Sequence, residues 1–204
     1  MPLVIVSPHP DDETLATGGL IARATQRGIN VQVLAVTDGE NAYQESVNLG
    51  IIRQGEQEQA LRVLGVPADH IVRLQLKDSD VSSHIDPLVE GLSSICTDET
   101  HVLAPWPHDF HPDHEACGRA AQQVAASTGA LLTFYLFWTW HRGTPALLED
   151  HQLLRFTLTE RQHDAKLKAL SHHSSQLTHA SGEPILPDNL LWPAKQPFEI
   201  YLRA

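Results

Sequence analysis

The chain has 204 residues, 42% of them hydrophobic and 19% charged, proportions of a soluble globular protein and, at this length, of one domain spanning 1–204. A formal net charge of −11 argues against a nucleic-acid surface or docking on anionic lipid, both of which need clustered Lys and Arg. Only two cysteines are present, the N-terminus has no basic signal region, and no apolar stretch reaches the roughly 18 residues of a membrane span. A cytoplasmic location is therefore expected, with Cys96 and Cys117 as buried structural thiols.

In chain order, Leu3–Val6 reads as a strand that breaks at Ser7-Pro8. The next turn, stiffened by Pro8 and Pro10, carries His9 and the paired acids Asp11 and Asp12, and a helix then runs to about Arg27 with Gly28 at its C′ position. Val31–Thr37 is a second strand, ending in Asp38-Gly39-Glu40, and a helix from about Leu49 to Leu64 stops at Gly65-Val66-Pro67. Ile71–Leu76 is a third strand, after which Asp86-Pro87 predicts an N-cap and a helix toward Cys96. Val102–Trp106 is a fourth strand, followed by Asp109-Phe-His-Pro-Asp-His114 and an Ala-rich helix to about Ser127. Leu131–Trp138 is a fifth.

Beyond it, Leu153–Leu158 and Phe198–Leu202 read as strands at a sheet edge, and Thr159-x-x-Gln162 is a capping box for a helix to about His172. Residues 177–197, with prolines at 184, 187, 193 and 197, predict a long ordered loop. Strand–helix alternation predicts an α/β fold, a Rossmann-like three-layer sandwich with a mostly parallel sheet. Ligands in such folds bind outside the carboxyl ends of the strands, where both His/Asp clusters fall.

A catalytic zinc takes three protein ligands and leaves a fourth position for water. His9, Asp12 and His114 supply that count, and the same donors accept Fe(2+) or Co(2+). Such an ion would acidify its water and polarise a substrate carbonyl. Asp11, beside a ligand yet turned elsewhere, is placed as general base. His111 and Asp113 make a second pair, in which a carboxylate holds an imidazole in one tautomer and stabilises its cation, ready to neutralise an oxyanion or protonate a leaving amine. Gly18-Gly19 is no nucleotide signal, since no Gly-x-Gly-x-x-Gly follows the first strand.

Pro8-His9-Pro10-Asp11-Asp12-Glu13 followed by Gly18-Gly19, together with Asp109-x-His111-Pro112-Asp113-His114, closely resembles the PIG-L/LmbE-type zinc-dependent N-deacetylases. Thr37-Asp38-Gly39-Glu40, Arg53-x-x-Glu56 and Lys166-x-x-Ala169-x-x-x-His173-x-Ser175-Gln176 extend the resemblance over most of the chain. It implies His9, Asp12 and His114 as zinc ligands, Asp11 as base, and His111, oriented by Asp113, as electrostatic or acid partner. Arg53 would reach the substrate, as would His173, with His172 as its alternative in another helix register.

The resemblance also implies hydrolysis of an N-acetyl group on a small N-acetylglucosamine-type sugar or conjugate. The rival readings are an amidohydrolase for a non-sugar N-acyl amine and a non-catalytic metal- or ligand-binding member. After the fifth strand, Trp140, His141 and Arg142 are candidates for a pocket wall, by stacking on a sugar and by meeting an anionic group. The alternative is that alternation along the strand buries Trp138 while Trp140 packs under the loop. If the aromatic loop is exposed, it leaves room for a homo-oligomer.

Overall fold

The N-terminal apolar run folds as β1 (Leu3–Ser7), all five residues of which are buried. The computed structural model describes residues 1–43, 48–179 and 182–204. After β1 come α1 (Asp12–Gln26), β2 (Val31–Thr37), α2 (Leu49–Val63) and β3 (Ile71–Leu76). The chain continues through α3 (Ile85–Ser93), β4 (His101–Pro105), α4 (Pro112–Thr128), β5 (Leu131–Tyr135) and α5 (Thr139–Arg142). It ends with β6 (Leu153–Thr157), α6 (Glu160–Leu170), α7 (Ser174–Leu177), α8 (Asp188–Leu191) and β7 (Phe198–Arg203).

The seven strands form one sheet in the order β3-β2-β1-β4-β5-β7-β6. The first five run parallel, and β7 pairs antiparallel with both β5 and β6. Side chains alternate across β1, so Leu3 and Ile5 pack with α1, α2 and α6 while Val4 and Val6 pack with α3 and α4. From β1 the chain builds outward to β2 and β3, then returns to place β4 on the other side of β1. The carboxyl ends of β1 and β4 thus flank the point where strand order reverses, the place where open α/β sheets bind ligands.

Several boundaries differ from the sequence expectation. Helix α3 opens one residue before Asp86, with His84 as its N-cap residue, and ends at Ser93, short of Cys96. Pro87 is tolerated there because first-turn N–H groups have no helical acceptor. Strand β5 stops at Tyr135, because the N–H groups of Phe137, Trp138 and Thr139 turn to the Asp109 carboxylate instead of a neighbouring strand. Strand β7 is not at an edge but inside the sheet; β6 is the edge, with Leu153 and Leu154 exposed. The proline-rich stretch contains α8 and buries Leu186, Leu191 and Ala194 against Leu15, Phe137 and Leu170; its residues 180 and 181 lie outside the described ones.

Gly18 and Gly19 have a packing role. The Glu199 carboxylate of β7 enters the α1 ladder and accepts the N–H groups of Gly19 (2.8 Å) and Leu20 (2.9 Å). A Cβ at Gly19 would overlap the Leu158 side chain. Lys166 of α6 lies 2.8 Å from the same carboxylate, which fastens α1, α6 and β7 together.

Candidate metal centre

Two turns, one after β1 and one after β4, deliver the site. Backbone N–H groups of Asp11 and Asp12 both bond to the His9 carbonyl, and the N–H of His9 donates to Asp12 Oδ2 at 3.0 Å. This small ring of bonds sets His9 and Asp12 side by side at the start of α1. After β4, Phe110 takes a left-handed conformation (φ 59°), uncommon for a bulky side chain, and His111 becomes the N-cap of α4 with Pro112 as the first helical residue. His114 then falls one turn inside α4, fully buried.

The two turns meet at Asp12. Its Oδ2 lies 3.3 Å from His9 Nδ1 and 3.2 Å from His114 Nε2. Ring nitrogens of His9, His111 and His114 lie within 4.8 Å of one another. The other nitrogen of each of His9 and His114 faces a carboxylate: His9 Nε2 is 3.2 Å from Asp113 and 3.4 Å from Asp78, and His114 Nδ1 is 2.9 Å from Asp109.

Charge in the site is unbalanced. Asp11, Asp12, Asp78, Asp109 and Asp113 are all buried, beside, among the described residues, a single buried guanidinium, Arg53. Burial, with the Asp12 charge adding to it, pushes the Asp11 carboxyl up to about 7 against the opposing pull of Arg53. Burial would also raise Asp12, yet His114 and His9 hold it well below the usual carboxylate range. Burial would lower His114, but Asp12 and Asp109 lift it to about 9; His9 is likewise raised, by Asp113, Asp12 and Asp78 against its burial. Carboxylates so placed draw positive charge, as protons or as a metal ion. His114 Nε2 is buried without a hydrogen bond, 3.2 Å from a carboxylate oxygen, which is the arrangement a divalent cation completes. The donor set of His, Asp and His therefore fits such an ion.

The Asp113 carboxylate does not orient His111, contrary to expectation. It accepts the N–H groups of Ser79 (2.8 Å) and Val81 (3.1 Å) and faces His9. The backbone N–H of Asp113 donates instead to His111 Nδ1, at 3.3 Å, which leaves the proton of a neutral His111 on Nε2. Burial, together with the positive potential of His9 and His114, pushes His111 down to about 4, toward the neutral imidazole.

A cavity of about 140 Å³ opens over these groups, lined by His9, Asp11, Asp12, Arg53, His111 and His114. Asp78, Ser79, Phe137, Trp138, Ala42, Ile185 and Leu186 close it. Arg53 is held in place by Gly39 O (2.7 Å) and Gln176 Oε1 (2.8 Å) and sits 3.6 Å from Asp11 Oδ2. Gly39 has φ 64°, and a Cβ there would occupy the place of the guanidinium.

Three expected substrate contacts lie elsewhere. His173 is fully buried, bonded to Thr14 Oγ1 at 3.1 Å, and pushed down to about 3 by burial and by Arg53; it braces Gln176, which in turn holds Arg53. Its neighbour His172 borders a separate surface hollow with Gly55 and Arg62. Trp140 packs with the interior, and Arg142 lies over the Trp138 ring at 3.9 Å while bonding to Phe110 O. The turn into α5 replaces strand alternation with helical rotation and leaves Trp138, not Trp140, at the cavity. Asp109 stands in the strand-end motif with no role that the sequence assigns, and Asp78 is absent from the candidates. The polar run Lys77-Asp78-Ser79-Asp80, at the carboxyl end of a parallel strand, is the available signal for Asp78.

Residues 4–125 match the PIG-L family profile described as GlcNAc-PI de-N-acetylase. A probable N-acetyl-alpha-D-glucosaminyl L-malate deacetylase 2 of Bacillus cereus is 29% identical over 138 residues, 61% of this chain and 60% of that protein. The diacetylchitobiose deacetylase of Thermococcus kodakarensis is 28% identical over 62% of this chain and 50% of its own length. The chain thus spans between half and two thirds of these two relatives. Among solved structures, the zinc-inhibited form of the teicoplanin deacetylase Orf2 superposes with a TM-score of 0.78 at 20% identity, over 100% of this chain and 99% of that one, and has the same fold.

Proposed function

The chain belongs to the PIG-L de-N-acetylase family, and from that premise we propose that it hydrolyses the N-acetyl group of an N-acetylated amino sugar of the N-acetylglucosamine type, or of its conjugate. His9, Asp12 and His114 would hold a divalent ion, zinc in the first instance with iron or cobalt as substitutes. The observation that carries this reading is the convergence of His9 Nδ1 and His114 Nε2 on one oxygen of Asp12, at the floor of a cavity that Asp11 also lines. When bound, the ion polarises an amide carbonyl and acidifies water.

The chain's own groups do the rest. Asp11, raised to about 7, is matched to accept a proton from the attacking water near neutral pH and pass it on. Arg53, 3.6 Å from Asp11, orients that carboxylate and presents its charge to the cavity. Neutral His111 offers its Nε2–H to the negative charge that develops on the carbonyl oxygen. Water oxygen bonds to the acetyl carbon, the C–N bond breaks, and the proton taken by Asp11 ends on the departing amine, releasing acetate. The relatives named above act, by their names, on N-acetylglucosaminyl malate and diacetylchitobiose, which supports an amino-sugar acceptor here.

Acetate release from N-acetylglucosamine, its glycosides and simple N-acetyl amines, with metal-loaded and chelator-treated protein, is the test. Metal-dependent release from the sugars is expected. Release confined to the simple amines would overturn the sugar assignment, and release unaffected by chelation would overturn the metal.

A further inference from the structure

Asp109 lies outside the cavity lining, is fully buried, and takes no part in the steps above. Its Oδ1 accepts the Thr139 hydroxyl (2.6 Å) and the Thr139 N–H (2.9 Å). Its Oδ2 accepts the Trp138 N–H (3.2 Å) and faces His114 Nδ1 (2.9 Å), and the Phe137 N–H lies 3.2 Å from both oxygens. One carboxylate therefore gathers the backbone of the segment whose Phe137 and Trp138 side chains wall the cavity, and on the same side grips the imidazole of a proposed metal ligand.

We infer that Asp109 is a positioning residue that ties the metal ligand His114 to the substrate wall Phe137–Trp138. The inference rests on His114 being a ligand. With every surrounding group a donor, the carboxylate offers His114 only an acceptor, so a neutral imidazole carries its proton on Nδ1 and turns the Nε2 lone pair toward Asp12. The same oxygens fix where β5 ends and the wall begins. Loosening the wall and loosening the ligand are one event at this residue, whereas at Thr139 or Trp138 they are separable.

Zinc and cobalt titrations of the full chain, by chelator competition, test this together with nitrogen NMR of the labelled histidines. Asp109→Asn is expected to lower metal affinity by about 10- to 100-fold and to raise KM. Thr139→Val is expected to raise KM with little change in metal affinity. A purely structural carboxylate would lower Tm with the metal dissociation constant unmoved, and that result overturns the inference. So does a zinc-loaded unaltered protein in which His114 carries its proton on Nε2, a measurement that decides the matter even if Asp109→Asn does not fold. An unaltered protein that takes no ion at all overturns the ligand assignment and the inference with it. Metal uptake by the unaltered protein with equal affinity in Asp109→Asn overturns the inference alone.

Discussion

Glu199 and Asp12 are both carboxylates buried near α1, yet their surroundings differ in kind. Glu199 accepts from the N–H groups of Gly19 and Leu20, from Lys166 Nζ and from the Tyr201 hydroxyl, all at 2.7–2.9 Å, and one negative charge faces one positive charge. Asp12 shares its surroundings with Asp11, Asp78, Asp109 and Asp113, and its neighbours are shifted in opposite directions, Asp11 up to about 7 and His111 down to about 4. A buried cluster that is balanced and fully hydrogen-bonded holds elements together; one left with excess charge and an unpartnered imidazole nitrogen is built to receive something. Lys166 makes the point sharply. It stands in the late-helix stretch that carries the sequence resemblance, yet the structure uses it as a strut against Glu199 rather than at the cavity that Asp12 lines.

The largest effect is expected from His114→Ala, which removes one of the three proposed ligands. Bound metal and turnover should both collapse, and full zinc occupancy in that variant by elemental analysis would move the site elsewhere. Asp11→Asn keeps all three ligands, so metal content should stay whole while kcat falls by about 10²- to 10⁴-fold, the usual range for a lost general base. Near-normal kcat would reassign that role.

The balanced cluster should respond in stability instead. Lys166→Met leaves Glu199 without its cation and should cost about 3–5 kcal/mol in chemical denaturation, with kcat of the folded, metal-saturated protein nearly unchanged. Adding Glu199→Gln should recover part of that loss, since removing both charges is cheaper than stranding one. If Lys166→Met silences kcat without loss of stability, the two clusters are not separate in role. The smallest effect is expected from Gly19→Ala, whose methyl must displace Leu158, at about 1–3 kcal/mol. Leu158→Ala in the same chain should make the alanine tolerable; no relief in the double variant would point to the α1 backbone rather than to packing.

Much of the fold is legible because it is written locally. The five parallel strands are short apolar runs between helical patterns, and that alternation admits few topologies. Strand β5 is three residues shorter than its apolar run, since Leu136-Phe-Trp138 has strand chemistry but its hydrogen-bonding partner, Asp109, lies about thirty residues away. The place of β7 inside the sheet was likewise invisible, because antiparallel insertion depends on which edge is open when the chain returns.

The amino-acid sequence by itself determined that two strand-end turns carry His and Asp at spacings suited to a metal, because His-x-x-Asp and His-Pro-Asp-His are set by helix starts a few residues long. Only the tertiary structure decided what each group faces. It turned Asp113 from His111 to His9, buried His173 as a brace, put Trp138 rather than Trp140 at the cavity, and brought Asp78 and Asp109 behind the histidines. Those choices depend on contacts between residues far apart in the chain, in a buried space where each acceptor goes to the nearest donor that packing allows.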